Sequence, residues 1–334
     1  MSIIRALDIG FGSTKFVVGH SPGGRIECRL FPSIAPMFSL IDIGDGILKQ
    51  RDSVVVMSDG NHYEVGPDSE LALGTHHTRV LHSDYTRTPE YLALARGALH
   101  YMNEPVIDLL VVGLPVAHLS SLSEELAQRM VGTHPLPGNR AVTVRRALAV
   151  AQPVGGLFDC VQDADVARRM RNQLNLIIDP GFFTLDWVVT KGVMPIVHQC
   201  GSFSGGISAI LKRVAEGISK RHKIVYTNLN AIDEALRTGS LCLYGQDEPI
   251  SNYLEKAVLA ADDGLSALCN SVGAGHEIKN IFLVGGGARL FCPGIEKRFP
   301  HQQIHLVEQG VFANVRGFQI IGEDQWSRRK GQVA

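Results

Sequence analysis

Two short phrases in this 334-residue chain set a carboxylate, glycines and hydroxyls at the end of an apolar run. The first is Ile4-Arg5-Ala6-Leu7-Asp8-Ile9-Gly10-Phe11-Gly12-Ser13-Thr14-Lys15, continued by Phe16-Val17-Val18. The second is Leu176-Ile177-Ile178-Asp179-Pro180-Gly181-Phe182-Phe183-Thr184-Leu185-Asp186, continued by Trp187-Val188-Val189. Each reads as a β-hairpin with an aspartate closing its first strand and hydroxyl and amide groups at its tip. Gly10 and Gly12 free the turn from Cβ clashes, so backbone N–H groups can converge on an anion. Ser13 and Thr14 add hydroxyls, and Lys15 adds a positive charge. Asp8 and Asp179 suit a magnesium ion that keeps most of its waters and takes its other contacts from phosphate oxygens. Paired, the hairpins imply a clamp that holds a nucleoside triphosphate and its metal between two domains.

Other phosphate sites fit less well. A Walker-type loop needs a strand, G-x-x-x-x-G-K-[ST] and then a helix, but Lys15 here leads into the strand-like Phe16-Val17-Val18. A dinucleotide fingerprint needs a third glycine opening a helix, and none follows Gly12 at that spacing. A lone Asp-x-Gly-x-Gly hairpin is most often an ordinary turn; the second copy, again preceded by a buried-type strand, is what makes this one functional.

The length fits two domains of roughly 150 residues each. A formal net charge of −1 argues against a dominant nucleic-acid surface. The basic clusters Arg145-Arg146, Arg168-Arg169 with Arg171, and Arg328-Arg329-Lys330 read as solvated helix faces and a charged tail. Cys28, Cys160, Cys200, Cys242, Cys269 and Cys292 form no C-x-x-C pair, the pattern of reduced thiols in a cytosolic protein. His76, His77 and His82 lie close together without a framing carboxylate or cysteine, which reads as a polar loop. With no apolar run of membrane length and no signal-peptide pattern at Met1-Ser2-Ile3, a cytoplasmic protein without direct membrane contact is expected.

Along the chain, Ile26 to Phe31 reads as a strand, and Ser53 to Met57 with His62 to Val65 as a hairpin around Asp59-Gly60. Tyr91 to Met102 and Ser120 to Val131 have helical periodicity, and Val106 to Leu114 is a buried strand. Val142 to Val150 reads as one strand leading into Ala151-Gln152-Pro153-Val154-Gly155-Gly156, where clustered Pro and Gly suggest the crossing between domains. Gly201-Ser202-Phe203-Ser204-Gly205-Gly206 opens a helix from Ile207 to about Lys220. Ser251 to Val272 reads as helix, and Ile281-Phe282-Leu283-Val284-Gly285-Gly286-Gly287-Ala288-Arg289 as a strand running into a glycine loop. Alternating strands and helices in both halves make an α/β protein.

These phrases, in this order, resemble the actin, heat-shock-70 and sugar-kinase superfamily of two-domain ATPases. The match uses its phosphate-1 hairpin (Asp8 to Lys15), its phosphate-2 hairpin (Asp179 to Asp186) and its adenosine loop (Gly285-Gly286-Gly287), and spans residue 3 to about 322. Gly113-Leu114-Pro115-Val116 and Phe312-Ala313-Asn314-Val315-Arg316-Gly317-Phe318 are similar to stretches of the ParM/StbA-type plasmid-segregation actins. The Asp-Pro-Gly-Phe-Phe-Thr phrase and the length look like the ParM-like member of the PRTRC plasmid-associated system. The resemblance implies an actin-like ATPase fold, two ribonuclease-H-like domains around a nucleotide cleft. Domain I would take residues 1–152 with a C-terminal return at 317–334, and domain II residues 153–316.

Carried over, the resemblance implies ATP/ADP and Mg2+ as ligands. Asp8 and Asp179 would hold the metal through water, and Gly10, Phe11, Gly12, Ser13, Thr14 and Lys15 would wrap the β- and γ-phosphates. Gly181, Phe182, Phe183 and Thr184 would approach the γ-phosphate. Gly205, Gly206, Gly285, Gly286, Gly287 and Arg289 would complete the nucleotide site, against the alternative that Gly286 and Gly287 only make a tight strand exit. Catalysis would fall to Gln152 and Asp179. ParM usually has a glutamate where Gln152 stands; a neutral amide is no strong base, but its carbonyl can orient water, so slow, timer-like hydrolysis is expected. The other reading of Gln152 is a hydrogen bond bracing the domain crossing. Phe182-Phe183 replaces small residues, and its bulk would either narrow the γ-phosphate site or pack against the opposite hairpin, while Asp186 would brace its own hairpin.

The implied function is a filament that grows head to tail by self-association and reaches plasmid DNA through an adaptor, so that nucleic acid is an indirect partner. Two alternatives stay open: a small-molecule kinase of the same fold, for which Asp42 or Asp45 would be the catalytic aspartate unless they are exposed turn residues, and a non-polymerising ATP switch. A chaperone of the heat-shock-70 type would need a peptide-binding domain beyond Gly322.

Overall fold

The computed structural model describes residues 2–39, 51–73 and 84–333, with side chains as far as Arg329. Asp42, Asp45, His76, His77 and His82 lie outside the described residues. The chain forms two units, Met1–Ala167 with Val311–Ala334, and Arg168–Gly310.

The first unit is built on a five-stranded sheet ordered β5-β4-β1-β2-β3. β1 (Ile4–Ile9) pairs antiparallel with β2 (Ser13–His20), which pairs with β3 (Ile26–Pro32). On its other side β1 runs parallel to β4 (Leu109–Leu114), and β4 to β5 (Ala147–Ala151). Every residue of β1 is buried, because both faces of the sheet are covered. Strand alternation sends Leu7 and Ile9 into one cluster with Tyr91, Leu94 and Leu99 of α1 (Pro89–Met102). Ile4 and Ala6 face the other way, onto Val315 and Phe318 of the C-terminal helix Ala313–Val333. Thr88 caps α1 by accepting from the Tyr91 N–H at 3.2 Å, and Pro89 occupies the first turn, where no N–H is needed. α2 (Leu119–Met130) follows β4, and α3 (Gln152–Cys160) follows β5 without a loop.

The hairpin around Asp59-Gly60 forms as expected, Val54–Ser58 with Asn61–Val65, turned by positive φ at both central residues. Three expected elements differ. The run Val106 to Leu114 breaks at Asp108, whose carboxylate accepts from the Ile3 N–H at 2.9 Å and from Arg145 at 2.6 Å. The expected strand Val142 to Val150 is two strands, Arg140–Val144 in a small sheet and β5 in the main one. The Pro/Gly cluster read as the domain crossing is the start of α3, with Pro153 in its first turn. The division between units therefore falls at 167/168 and 310/311, where the sequence suggested 152/153 and 316/317. α3 belongs to the first unit because it packs on the C-terminal helix, with the Arg316 guanidinium donating twice to the Asp159 carboxylate, once at 2.7 Å.

In the second unit β6 (Leu174–Pro180) pairs antiparallel with β7 (Leu185–Lys191) and parallel with β8 (Ile278–Leu283), which is followed in parallel by β9 (Gln303–Leu306). Leu176, Ile178 and Trp187 pack on Ile210, Leu211 and Val214 of α4 (Ile207–His222). α5 (Ala288–Arg298) leaves the glycine loop after β8. The helix expected over Ser251 to Val272 is interrupted by a 3-10 turn at Val258–Ala261, after which Asp262 and Asp263 open a new helix at its favourable N-terminal end.

Arg316 and Asp159 are largely buried, so removing one member leaves its partner poorly solvated. Asp159→Ala is expected to lower unfolding free energy by about 3 kcal/mol in urea titrations. Arg328→Ala, which loses only the exposed pair with Asp324, should change it by less than about 0.5 kcal/mol.

Candidate functional site

In the first hairpin β1 and β2 are registered so that Asp8 lies opposite Lys15 and Ile9 opposite Thr14. The Asp8 side chain follows Ile4 and Ala6 toward the C-terminal helix and is only 1% exposed. One oxygen accepts from Lys15 Nζ at 3.1 Å, the other from Gln152 Nε2 at 2.8 Å. Gln152 is the first residue of α3 and is itself buried, so strand end and helix start meet on one carboxylate. At the tip the Gly10 N–H donates to the Ser13 carbonyl at 3.2 Å, and the Gly12 carbonyl accepts from the Ser33 N–H at 3.1 Å. Thr14 is buried, its hydroxyl 3.0 Å from that of Ser33. The Phe11 ring stacks on Tyr85 with centroids 4.7 Å apart.

The second hairpin repeats the strand pairing, with Asp179 opposite Asp186, both buried. The Gly181 N–H donates to the Thr184 carbonyl at 2.8 Å. Its tip is tied by backbone to the start of α4: the N–H groups of Gly206, Ile207 and Ser208 donate to the carbonyls of Phe183, Gly181 and Phe182 at 2.9, 2.9 and 2.8 Å. The tip thus satisfies amides that a helix N-terminus otherwise leaves open. Phe182 packs against the core of this unit, which gives its bulk a place within its own unit.

The glycine loop after β8 wraps the same hairpin. Gly285 has φ +78, and a Cβ there would collide with Asp179 Oδ1, so glycine is required on both counts. The Gly285 N–H donates to the Gly310 carbonyl at 2.9 Å and that of Gly287 to the Pro180 carbonyl at 3.0 Å. A Cβ on Gly286 would meet nothing within 4 Å, so this backbone is open. α5 starts without a side-chain cap, leaving its first turn the partial positive charge that favours an anion. Arg289 sits exposed in that turn.

Within the first unit, then, the fold joins Asp8, Lys15 and Gln152 directly, with Gly10 to Thr14 at the adjoining tip. Within the second it joins Asp179, Gly181, Thr184, Gly206, Gly285 and Gly287. No cluster of three or more His, Cys, Asp or Glu side chains able to hold a metal ion occurs among the described residues. Asp8, already accepting from two donors, fits a metal held through its water shell. Ser33, Tyr85 and Gly310 escaped the sequence reading, and Gly113 was singled out there only as part of a family-like stretch. Ser33 reaches the tip because Pro32 pairs with Ser13, and no local pattern announces such a pairing.

The N-terminal domain model of the actin-like proteins matches residues 6–155, and the C-terminal model of the archaeal MreB-like actin homologues matches residues 177–297. No curated protein matches the sequence. An archaeal actin homologue superposes with a TM-score of 0.76 at 19% identity, over 97% of this chain and 99% of that one. The same homologue in complex with ADP gives 0.72 at 18% identity, over 96% and 99%. The subunit of a 15-stranded ParM filament from Clostridium botulinum gives 0.76 at 16% identity, over 97% and 100%. With both of its units matched by actin-like domain models and nearly its whole length taking the fold of actin homologues, the chain belongs to the actin-like proteins.

Proposed function

We propose that the protein is a cytoplasmic ATPase that assembles head to tail into nucleotide-dependent filaments, and that these position plasmid DNA through an adaptor protein. The observation that carries the reading is the repeated hairpin with a buried aspartate ending its first strand, once in each unit. The ADP complex of the archaeal homologue supports the choice of ligand, and the ParM filament supports self-association. The finer assignment to the ParM-like member of the PRTRC system rests on the Asp-Pro-Gly-Phe-Phe-Thr phrase and the length. No helix among the described residues is long and apolar enough to cross a membrane.

In this reading Asp8 and Asp179 would hold the water shell of a magnesium ion, which would supply charge neutralisation at the phosphates when bound with ATP. The tip from Gly10 to Lys15 and that from Gly181 to Thr184 supply backbone, hydroxyl and ammonium donors to the phosphates, and Gly285 to Gly287 with Arg289 line the nucleoside side. Gln152 uses Nε2 on Asp8, which leaves Oε1 to accept from water and fix its orientation. An amide takes up no proton, so turnover is slow and acts as a timer. A head-to-tail contact that does not close gives an open filament, and loss of γ-phosphate contacts after hydrolysis loosens it.

Pelleting and light scattering with magnesium and ATP, ADP or a non-hydrolysable ATP analogue, with phosphate release recorded alongside, test the filament. Polymer with ATP and the analogue but not ADP is expected; hydrolysis without polymer at any salt or protein concentration would point to a soluble switch or a kinase. Asp179→Ala should lower phosphate release by about 100-fold or more, and a near-wild-type rate would remove Asp179 from the metal site. Gln152→Leu should lower it by about 100-fold with nucleotide affinity unchanged; a parallel loss of affinity would make Gln152 a binding residue instead.

A further inference from the structure

The bond between Asp8 and Gln152 spans a strand. β1 and β5 are separated by β4, so at ~4.8 Å per strand their backbones lie roughly 9.6 Å apart. Following Leu7 opposite Val112, and with Val150 opposite Gly113, the residue lying between the two side chains is Gly113. A Cβ at this position would sit 2.8 Å from Asp8 Oδ1 and 2.7 Å from the ring of Phe318. The absent side chain therefore leaves room for Asp8 Oδ1, the oxygen that accepts from Gln152, and for the Phe318 ring.

Phe318 closes that space from the C-terminal helix. Its ring is fully buried and also lies against Gly155, where a Cβ would be 2.6 Å from it. Gly155 stands one turn into α3, three residues after Gln152. A Cβ on Gly317 would collide with the Gly155 carbonyl, so the two helix backbones are in direct contact at this point. Farther along the same crossing, Arg316 holds Asp159. One ring thus rests against both the strand beside Asp8 and the helix that carries Gln152.

We infer that Gly113 and Phe318 are positioning residues for the proposed hydrolysis: together they hold Gln152 on Asp8, and so aim the Gln152 carbonyl. Neither touches substrate in this scheme. The inference rests on the reading of Gln152 as the water-orienting group, and its consequence is that the C-terminal helix controls turnover from behind the site.

The test compares Phe318→Leu and Gly113→Ala with Phe299→Leu, the same ring removed from the core of the other unit. For each, kcat and KM for ATP, nucleotide affinity and Tm are measured. The Gln152 side-chain amide signal is followed by 15N NMR and identified by its loss in Gln152→Leu. Both site variants should lower kcat about tenfold or more while KM and affinity hold, and both should shift the Gln152 amide signal. Phe299→Leu should lower Tm alone. If Phe318→Leu and Gly113→Ala lose no more kcat than Phe299→Leu and the Gln152 signal stays in place, the two residues are ordinary packing and the inference fails. If the wild type turns over no ATP, the proposed ATPase falls by itself, and the Gln152 signal alone decides: moved, the positioning stands; unmoved, it is overturned.

Discussion

A carboxylate placed inside a protein must be met by donors, because burial strips it of water and an unmet charge costs several kcal/mol. Asp8, 1% exposed at the end of a central strand, imposes that requirement on the first unit. Lys15 meets it from the paired strand, which holds β1 and β2 in register across the tip. Gln152 meets it from 144 residues away in sequence, so the β5-to-α3 junction has to arrive within reach of β1 across β4. Gly113 has to be small and the C-terminal helix has to lie close underneath. The hairpin, the sheet order and the helix crossing are in this sense answers to a single buried charge.

The second hairpin shows how the same sequence phrase is anchored by other means. Its tip carbonyls take the first amides of α4, and its aspartate is wrapped by backbone at Gly285. The first tip has one backbone tie, from the Ser33 N–H to the Gly12 carbonyl, and otherwise leans on side chains, a Phe11–Tyr85 stack and a Thr14–Ser33 hydroxyl contact. A helix N-terminus and a glycine loop are stiff scaffolds, whereas a side-chain stack can repack. The similarity in sequence thus reaches as far as the strand pairing and the carboxylate, and stops at the supports.

That division also explains what could be read in advance. Both hairpins, the helix Pro89–Met102, the helix after Gly206 and the glycine loop have local signatures, namely alternation, caps and turn residues, and they were legible. The start of α3 was misread because Pro153 and the glycines after it look like a linker. They are in fact a helix first turn and a close helix contact, and only the C-terminal helix, far away in sequence, reveals this. The break at Arg145-Arg146 is hidden for a similar reason, since Asp108 and the Ile107 carbonyl hold Arg145 just past the end of the strand Arg140–Val144, before β5 begins. Ser33 and Gly113 matter through what lies across the sheet from them, and periodicity along one strand does not carry that information.

The position of Gln152 bears on how a neutral side chain serves beside a buried carboxylate. β1, β4 and β5 are parallel, and Asp8, Gly113 and Ala151 lie toward their C-terminal ends, the side of such sheets where ligands bind. β5 runs directly into α3, so the glutamine is held by a strand behind it and a helix ahead, with no loop to relax. An ionised carboxylate in its place could not donate to Asp8, since two acceptors repel, and would have to turn away or bind a proton. The amide alone can donate to Asp8 and still present an acceptor outward. Choosing glutamine therefore exchanges the strength of a base for a fixed direction, and in the proposed reaction that exchange is what makes hydrolysis slow and its timing a property of the fold.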